Sequence, residues 1–147
     1  SNKIKNSRIY FEKKKIRVPV NLNIYESFFV PISKWPMLIT GNYRCINNSE
    51  LISIKDAVYN DINQSKKIYN EVQSLCLSLG ATNNDLISFE NYLKVAKKLT
   101  APSSVSRLAF SKNKNFERLD KLVEIISSLK NIKITDINLI NKNFNPI

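Results

Sequence analysis

The segment at residues 100–107 carries the polar side chains best suited to binding a small acidic molecule. Thr100-Ala-Pro-Ser-Ser-Val-Ser-Arg107 places the hydroxyl groups of Ser103 and Ser104 side by side, with Arg107 one helical turn after Ser103. A guanidinium can bind a carboxylate or a phosphate through two parallel hydrogen bonds, and serine hydroxyls can complete such a site. The same serines follow Pro102 where a helix is predicted to start, so helix capping explains them equally well, and Arg107 could be a plain surface residue.

Two further charged residues are candidates for proton transfer. Lys34 lies between Ser33 and Trp35 in a strongly apolar stretch, where an ammonium group must reach solvent or find a partner. Glu117 comes at the start of an amphipathic stretch. It is suited to acid–base catalysis, but it would also be a favourable negative charge at the positive end of a helix dipole. Both the catalytic and the structural explanation stay open for each residue.

Glycine and histidine limit the chemistry that this chain can perform. It contains only two glycines, Gly41 and Gly80, and no histidine. A dinucleotide-binding turn or a P-loop needs several glycines close together so that the backbone can approach the phosphates, and neither can form here. Histidine-based triads and imidazole zinc sites are excluded as well. The two cysteines, Cys45 and Cys76, are too few for a thiolate zinc site or a disulfide scaffold, which predicts a reducing, cytoplasmic setting.

The net charge of +11 raises the question of a phosphate-bearing partner. A basic helical module for nucleic acid, or a protein-interaction domain without catalysis, is therefore an alternative function. The lysines spread along the chain, however, and the aromatic residues Phe28, Phe29 and Trp35 lie in apolar runs that predict a core rather than a stacking surface. We therefore expect no nucleic-acid partner. We also expect no membrane, because no apolar run has the length of a membrane span.

Residues 1–22 predict a short β-hairpin followed by a linker. The strands are expected at Arg8–Glu12 and Ile16–Val20, joined by Lys13–Lys15, because both are rich in β-branched and aromatic residues. Pro19 would confine the second strand to a sheet edge.

Residues 23–147 predict a mainly α, multi-helical single domain of about six helices. An apolar stretch from Asn23 to Thr40, interrupted by Pro31 and Pro36, predicts a helix kinked or split at the prolines and stopped by Gly41. The clearest helix runs from about Ile54 to Leu79 at alternating three- and four-residue apolar spacing, with Ser53 in capping position. The remaining helices are expected at Asp85–Leu99, after Pro102, at Glu117–Leu129, and after a cap at Thr135-Asp136.

Three segments in this order resemble the C-terminal helical domain of ketopantoate reductases. The proline-interrupted stretch Tyr25–Thr40 is similar to a kinked family helix containing Asn-Pro. The helix ending in Leu77-Ser-Leu-Gly-Ala81 resembles a family helix that closes on Leu-Gly. Thr100–Val105 and the following Phe116-Glu-Arg-Leu-Asp120 are similar to the family's Ser-Ser-Met segment and its Thr-Glu-Ile-Asp motif. The likeness covers about residues 25–144.

The resemblance implies a fold like the C-terminal domain of 6-phosphogluconate dehydrogenase and a role as the substrate-binding and dimerisation domain of an NADPH-dependent 2-oxo acid reductase. The expected partners are a small 2-oxo acid, a second copy of the chain, and the protein's own NADP-binding Rossmann domain. That domain would precede the present chain, which opens on a Ser1-Asn2 typical of a cleaved tag. Without it the chain would be inactive.

The resemblance also implies where a site would lie. The family's kinked helix carries a catalytic lysine and two asparagines, and alignment on Trp35-Pro36 puts Ser27, Pro31 and Trp35 at those positions. The family's glutamate falls on Arg118, one residue after Glu117. The expected site residues are Lys34 and Glu117 for catalysis and Ser103, Ser104 and Arg107 for substrate binding, with no metal. These segments should converge on one concave surface.

Overall fold

The computed structural model describes residues 8–17, 27–47, 50–111 and 116–144. Within these ranges the chain forms seven α-helices and two short antiparallel sheets of two strands, which confirms the mainly helical prediction. Two 3-10 helices, Ile32–Lys34 and Asn42–Arg44, flank the first α-helix. The elements are β1 (Arg8–Phe11), β2 (Lys14–Arg17), α1 (Trp35–Thr40), β3 (Ile46–Asn47), β4 (Glu50–Leu51), α2 (Ile54–Tyr59), α3 (Ile62–Ser78), α4 (Phe89–Ala96), α5 (Ser104–Phe110), α6 (Leu119–Leu129) and α7 (Ile137–Asn143).

The N-terminal hairpin forms with a tighter turn than the sequence predicted. β1 pairs with β2 in the register Arg8↔Arg17, and the turn consists of Glu12 and Lys13 alone. Both turn residues have positive φ, 48° and 63°, as two-residue hairpin turns require for the twist of the strands. The second strand therefore starts at Lys14, not at the predicted Ile16. Residues 18–22, including Pro19, lie outside the described residues.

The proline-rich stretch is split, as predicted, within its described part. Residues 28–31 form a turn, a 3-10 helix follows, and α1 begins at Trp35 with Pro36 in its first turn, where a missing N–H costs nothing. Because Phe28 lies in the turn and not in a helix, its side chain is 96% exposed, so its predicted core position is wrong. Phe29 and Trp35 do pack against the core.

Gly41 ends α1 for a different reason from the one predicted. Its φ is −113°, which any residue can adopt, so no left-handed conformation requires glycine here. A Cβ at this position would instead overlap the hydroxyl of Tyr92 and meet Ile54 Cγ2 at 3.1 Å. The glycine is required because the Tyr92 side chain of α4 reaches the backbone at the end of α1.

The predicted helix over residues 54–79 is two helices, so the prediction of a single one is wrong. Asp61 has extended backbone angles (φ −143°, ψ 94°), and its carboxylate accepts a hydrogen bond from the N–H of Gln64 at 2.8 Å. It thereby caps α3. The hydroxyl of Ser65 donates to Val58 O at 2.9 Å, which holds the two helices together at the break.

Two other predicted helix boundaries move for local reasons, and one predicted capping bond does not form. The fourth helix begins at Phe89, because Ser88 caps it and Asp85 instead accepts the N–H of Thr82 at 2.7 Å. The sixth begins at Leu119, two residues after the predicted Glu117. Asp136 precedes α7 as predicted, but its φ of 59° leaves its side chain making no capping bond.

Helix α3 lies at the centre of the core. Its buried residues Ile68, Val72 and Leu75 pack against α1 on one side and against Val123 of α6 and the α7 residues on another. Tyr69 faces a second cluster with Phe89 and Tyr92 of α4. Each fully buried side chain of this size contributes about 1.5–3 kcal/mol. This core fixes α1, and with it the turn at residues 42–44. None of the helices described is long and apolar enough to cross a membrane.

Candidate functional site

A groove of about 320 Å³ opens where α1 and the 3-10 helix Asn42–Arg44 meet α5 and the start of α6. Most of its wall is apolar, and three residues bring polar side chains to it: Asn42, Ser104 and Glu117. We call it the α5–α6 groove. Its lining residues are Leu38, Asn42, Tyr43, Ser104, Val105, Leu108, Phe116, Glu117 and Leu119. Ser104 and Glu117, from two separate segments, are the only sequence-predicted site residues among them.

Ser103 does not line the groove, but it binds the groove residue Asn42. It is 3% exposed, and its hydroxyl accepts the N–H of Ser106 at 3.1 Å, which caps α5. The same hydroxyl donates to the carbonyl of Asn42 at 2.7 Å, and so does the hydroxyl of Ser106, also at 2.7 Å. In this geometry Ser103 positions Asn42, whose amide side chain has no hydrogen-bond partner within the described ranges.

Arg107 brings a positive charge to the edge of the groove. It is exposed, and its Nη2 donates to Ser104 Oγ at 3.3 Å. Arg107 does not itself line the groove. A guanidinium linked to a groove hydroxyl can bind the charged end of an acidic ligand while the ligand's apolar part lies on Val105 and Leu108.

Lys34 lies apart from these residues. It is exposed at the junction of the first 3-10 helix and α1, one helical turn before the groove residue Leu38, and it is not among the groove-lining residues. Its exposed position resolves the problem of a cation in an apolar stretch, because the ammonium reaches solvent.

The three positions that align with the family's lysine and asparagines are structural here. Ser27 Oγ accepts the N–H of Phe29 at 3.1 Å, and hydrogen bonds from Ser27 and then from Thr82 lower the pKa of Asp85. Pro31 is exposed and Trp35 packs against the core. None of the three lines the α5–α6 groove.

The segment before α6 presents Glu117, and not Arg118, to the groove. Arg118 turns inward and binds the fully buried carboxylate of Asp120 through two nitrogens, Nε at 3.0 Å and Nη2 at 2.8 Å. Its guanidinium also lies 5.8 Å from the centre of the Phe116 ring. With Arg118 held this way, Glu117 is exposed on the groove side of the segment.

Tyr43 is a groove residue that the sequence did not reveal. Its hydroxyl donates to Glu117 O at 2.6 Å and accepts the N–H of Leu119 at 3.1 Å. These two bonds hold the backbone at the start of α6 in place. Burial, the largest effect, raises the pKa of Tyr43 to about 12. Asn42 was missed too, because both residues follow Gly41 and the sequence indicated only a helix end there.

Together, these groups suit a small molecule with an acidic end and an aliphatic body. The described ranges contain no group of three or more Cys, Asp or Glu side chains arranged to hold a metal ion. No protein-family model matches the chain, and no curated protein and no solved structure is significantly similar to it.

Proposed function

We propose that this chain is the substrate-binding domain of an NADPH-dependent 2-oxo acid reductase similar to ketopantoate reductases, and that the α5–α6 groove binds the 2-oxo acid. One observation carries the proposal: Ser104 and Glu117, which the resemblance assigns to one site, line the same groove although they belong to two separate segments of the chain. The inward turn of Arg118 supports the assignment of Glu117 to the family's glutamate position.

Each polar group then has a role set by its position. Arg107 forms a charge-assisted hydrogen bond to the substrate carboxylate, and Ser104 donates to the same end. The amide of Asn42, which has no hydrogen-bond partner among the described residues, orients the keto group, and Glu117, which lines the same groove, is the candidate for proton transfer to that oxygen. Lys34 does not line the groove, so only the resemblance makes it the candidate for the cation that stabilises a developing alkoxide.

The described residues do not fit NADPH. A pyrophosphate is bound where a glycine-rich turn opens a helix, but Gly41 and Gly80 each follow the end of one, α1 and α3. Cofactor binding is therefore expected only of a preceding Rossmann domain, and the isolated chain should bind NADPH no tighter than millimolar and reduce no substrate. A homodimer remains a prediction from the resemblance.

The test is a titration of the isotope-labelled chain with ketopantoate, in which NMR monitors the amide signals. Amide shifts should concentrate at the groove, and Arg107→Ala should weaken binding about tenfold, the loss of about one charge-assisted bond. Ser104→Ala should weaken it by a similar or smaller factor. Lys67→Ala and Ser74→Ala are matched controls on exposed positions of α3 and should leave binding unchanged.

The proposal fails if the shifts lie away from the groove, or if Arg107→Ala and Ser104→Ala bind as well as the control variants. It also fails if ketopantoate binds no better than a fatty acid salt of the same size, since Asn42 would then contribute nothing at the keto group.

A further inference from the structure

A second cavity, of about 280 Å³, lies on the other side of the Asn42–Arg44 turn, between α2, the start of α3 and α7. Small-molecule sites usually measure about 300–1,000 Å³, so this volume suits a ligand of amino-acid size and not a nucleotide. One wall is apolar, formed by Ile46, Ile52, Leu139 and Ile140. The remaining lining includes charged side chains of both signs: Arg44, Asp56, Asp61 and Asp136. We call it the Arg44 cavity.

Arg44 is a desolvated cation without a contacting carboxylate. Its Nη1 donates to Thr40 O at 3.3 Å and Ser65 Oγ at 2.7 Å, and its Nη2 donates to Gln64 Oε1 at 2.6 Å. All three acceptors are neutral, and no described carboxylate lies within ion-pair distance. Burial lowers the pKa of Arg44.

Part of the Arg44 guanidinium remains free for a ligand. A guanidinium has five N–H donors, and the Nε–H has no partner among the residues described. Nε and Nη2 form the edge through which arginine binds a carboxylate with two bonds, and Nη2 has a second N–H besides the one that it donates to Gln64. A partly buried charge held only by neutral groups would gain from such a counter-ion.

The side chain of Gln64 lies between Arg44 and the carboxylate of Asp136. Gln64, which accepts from Arg44, donates through its Nε2 to Asp136 Oδ2 at 2.6 Å, and its backbone N–H binds Asp61. Asp136 and Asp61 both line the cavity. Their charges act on Arg44 without touching it, so a positive and a negative pole face the same space.

We infer that the Arg44 cavity binds a free aliphatic α-amino acid. Its carboxylate pairs with the open edge of Arg44, its ammonium group with Asp136, and its side chain lies on Ile46 and Leu139. A ligand with one charge satisfies only one pole, whereas a zwitterion satisfies both at the separation that Gln64 sets. This site is distinct from the α5–α6 groove and does not depend on the proposed reductase function.

The experiment titrates the labelled chain with L-leucine and follows the amide signals by NMR. Isovalerate, which lacks the ammonium group, and isopentylamine, which lacks the carboxylate, serve as one-charge probes. L-Leucine should shift the signals around Arg44, Gln64 and Asp136 and should bind at least about tenfold tighter than either probe, the worth of about one charge-assisted bond.

Two variants test the two poles separately. Asp136→Asn keeps the shape of the side chain and its bond from Gln64, and should reduce L-leucine binding to the level of isovalerate. Arg44→Lys keeps the charge but loses the two-bond edge, and should reduce binding to the level of isopentylamine. Asp85→Asn, a carboxylate change away from the cavity, should leave binding unchanged.

Three results would overturn the inference. One is the absence of shifts around the cavity at millimolar L-leucine. Another is equal binding of L-leucine and isovalerate, which would make the cavity a simple anion site. The third is unchanged L-leucine binding by a folded Asp136→Asn variant, whose fold circular dichroism verifies.

Discussion

Replacement of Gly41 by alanine should destabilise the protein although the backbone at this position suits alanine. With φ at −113°, the substitution would by itself stabilise the fold by about 0.4–1 kcal/mol, because it restricts the unfolded chain. The new methyl group, however, overlaps the Tyr92 hydroxyl and lies 3.1 Å from Ile54 Cγ2. The steric effect and the entropic effect therefore have opposite signs, and the structure indicates which one dominates.

The Tyr92 ring has little freedom to move aside. It is 3% exposed, its centre lies 5.3 Å from that of Tyr69 in a stacked arrangement, and its hydroxyl donates to Met37 O at 3.2 Å. Overpacking of a core by one methyl group costs about 1–3 kcal/mol, and the broken hydrogen bond adds about 1 kcal/mol. After subtraction of the entropic gain, we expect a net loss of about 1–3 kcal/mol, or a fall in Tm of roughly 2–4 °C per kcal/mol.

Urea unfolding of four proteins, followed by circular dichroism, measures the effect. These are the natural chain, Gly41→Ala, Tyr92→Phe and the double variant. Because the clash is with the hydroxyl oxygen, Tyr92→Phe should remove at least about 1 kcal/mol of the cost of Gly41→Ala. Gly80→Ala, alone and combined with Tyr92→Phe, is the control: its cost comes from a φ of 105° and from the Phe29 ring, 3.0 Å from the new Cβ, so Tyr92→Phe should not reduce it.

The explanation by close packing is refuted if Gly41→Ala is neutral or stabilising. It is also refuted if the alanine costs the same in both the tyrosine and the phenylalanine background. If Tyr92→Phe also restored stability to Gly80→Ala, its effect on Gly41→Ala could not be attributed to removal of the clash with the Tyr92 hydroxyl.

Two more predictions concern residues that shape the α5–α6 groove. Ser103→Ala should lower the free energy of unfolding, measured in urea, by about 1–3 kcal/mol, and Ser88→Ala by only about 0.5–1 kcal/mol. Both serines cap helices, but Ser103 is buried and also binds Asn42 O. Equal losses for the two variants would contradict this. The folded-state pKa of Tyr43, about 12, lies above its ordinary value of 10.0, so its contribution to stability is complete below pH 10 and is lost as the pH rises through 12. The difference in unfolding free energy between the natural chain and Tyr43→Phe should therefore shrink from pH 10 to 12, and a constant difference would argue against a buried Tyr43 hydroxyl.

Local sequence was sufficient where the governing interactions lie within a few residues. The apolar spacing predicted α3 and α6 because a helix repeats its faces every three to four residues. The predicted cap at Ser53 is confirmed by its bond from the N–H of Asp56 at 3.0 Å. The lack of clustered glycines argues against a glycine-rich phosphate-binding turn, and this stays a prediction. These conclusions need no knowledge of which helices meet.

Sequence also contained local signals whose strength could not be judged without the packing. Aspartate is a favourable helix N-cap, so Asp61 could mark the start of a helix. An aspartate within an amphipathic pattern could equally lie on the solvent-facing side of a longer, unbroken helix. The break there became definite only because Ser65 bridges to Val58 and Arg44 binds Ser65 from outside the helix. Competition between a cap and a continuous helix is decided by such tertiary contacts.

Tertiary structure alone decided which residues line the α5–α6 groove and the Arg44 cavity. Tyr43 reaches Glu117 across 74 positions of sequence, and Gln64 reaches Asp136 across 72. No periodicity relates residues so far apart, because their proximity depends on how α1, α6 and α7 pack around α3. Sequence supplied the individual charges and hydroxyls, Ser104 and Glu117 among them. Which of these groups line the same groove depends on how the helices pack. The packing in turn is determined by the burial of the apolar faces of whole helices and not by the pairing of particular polar groups.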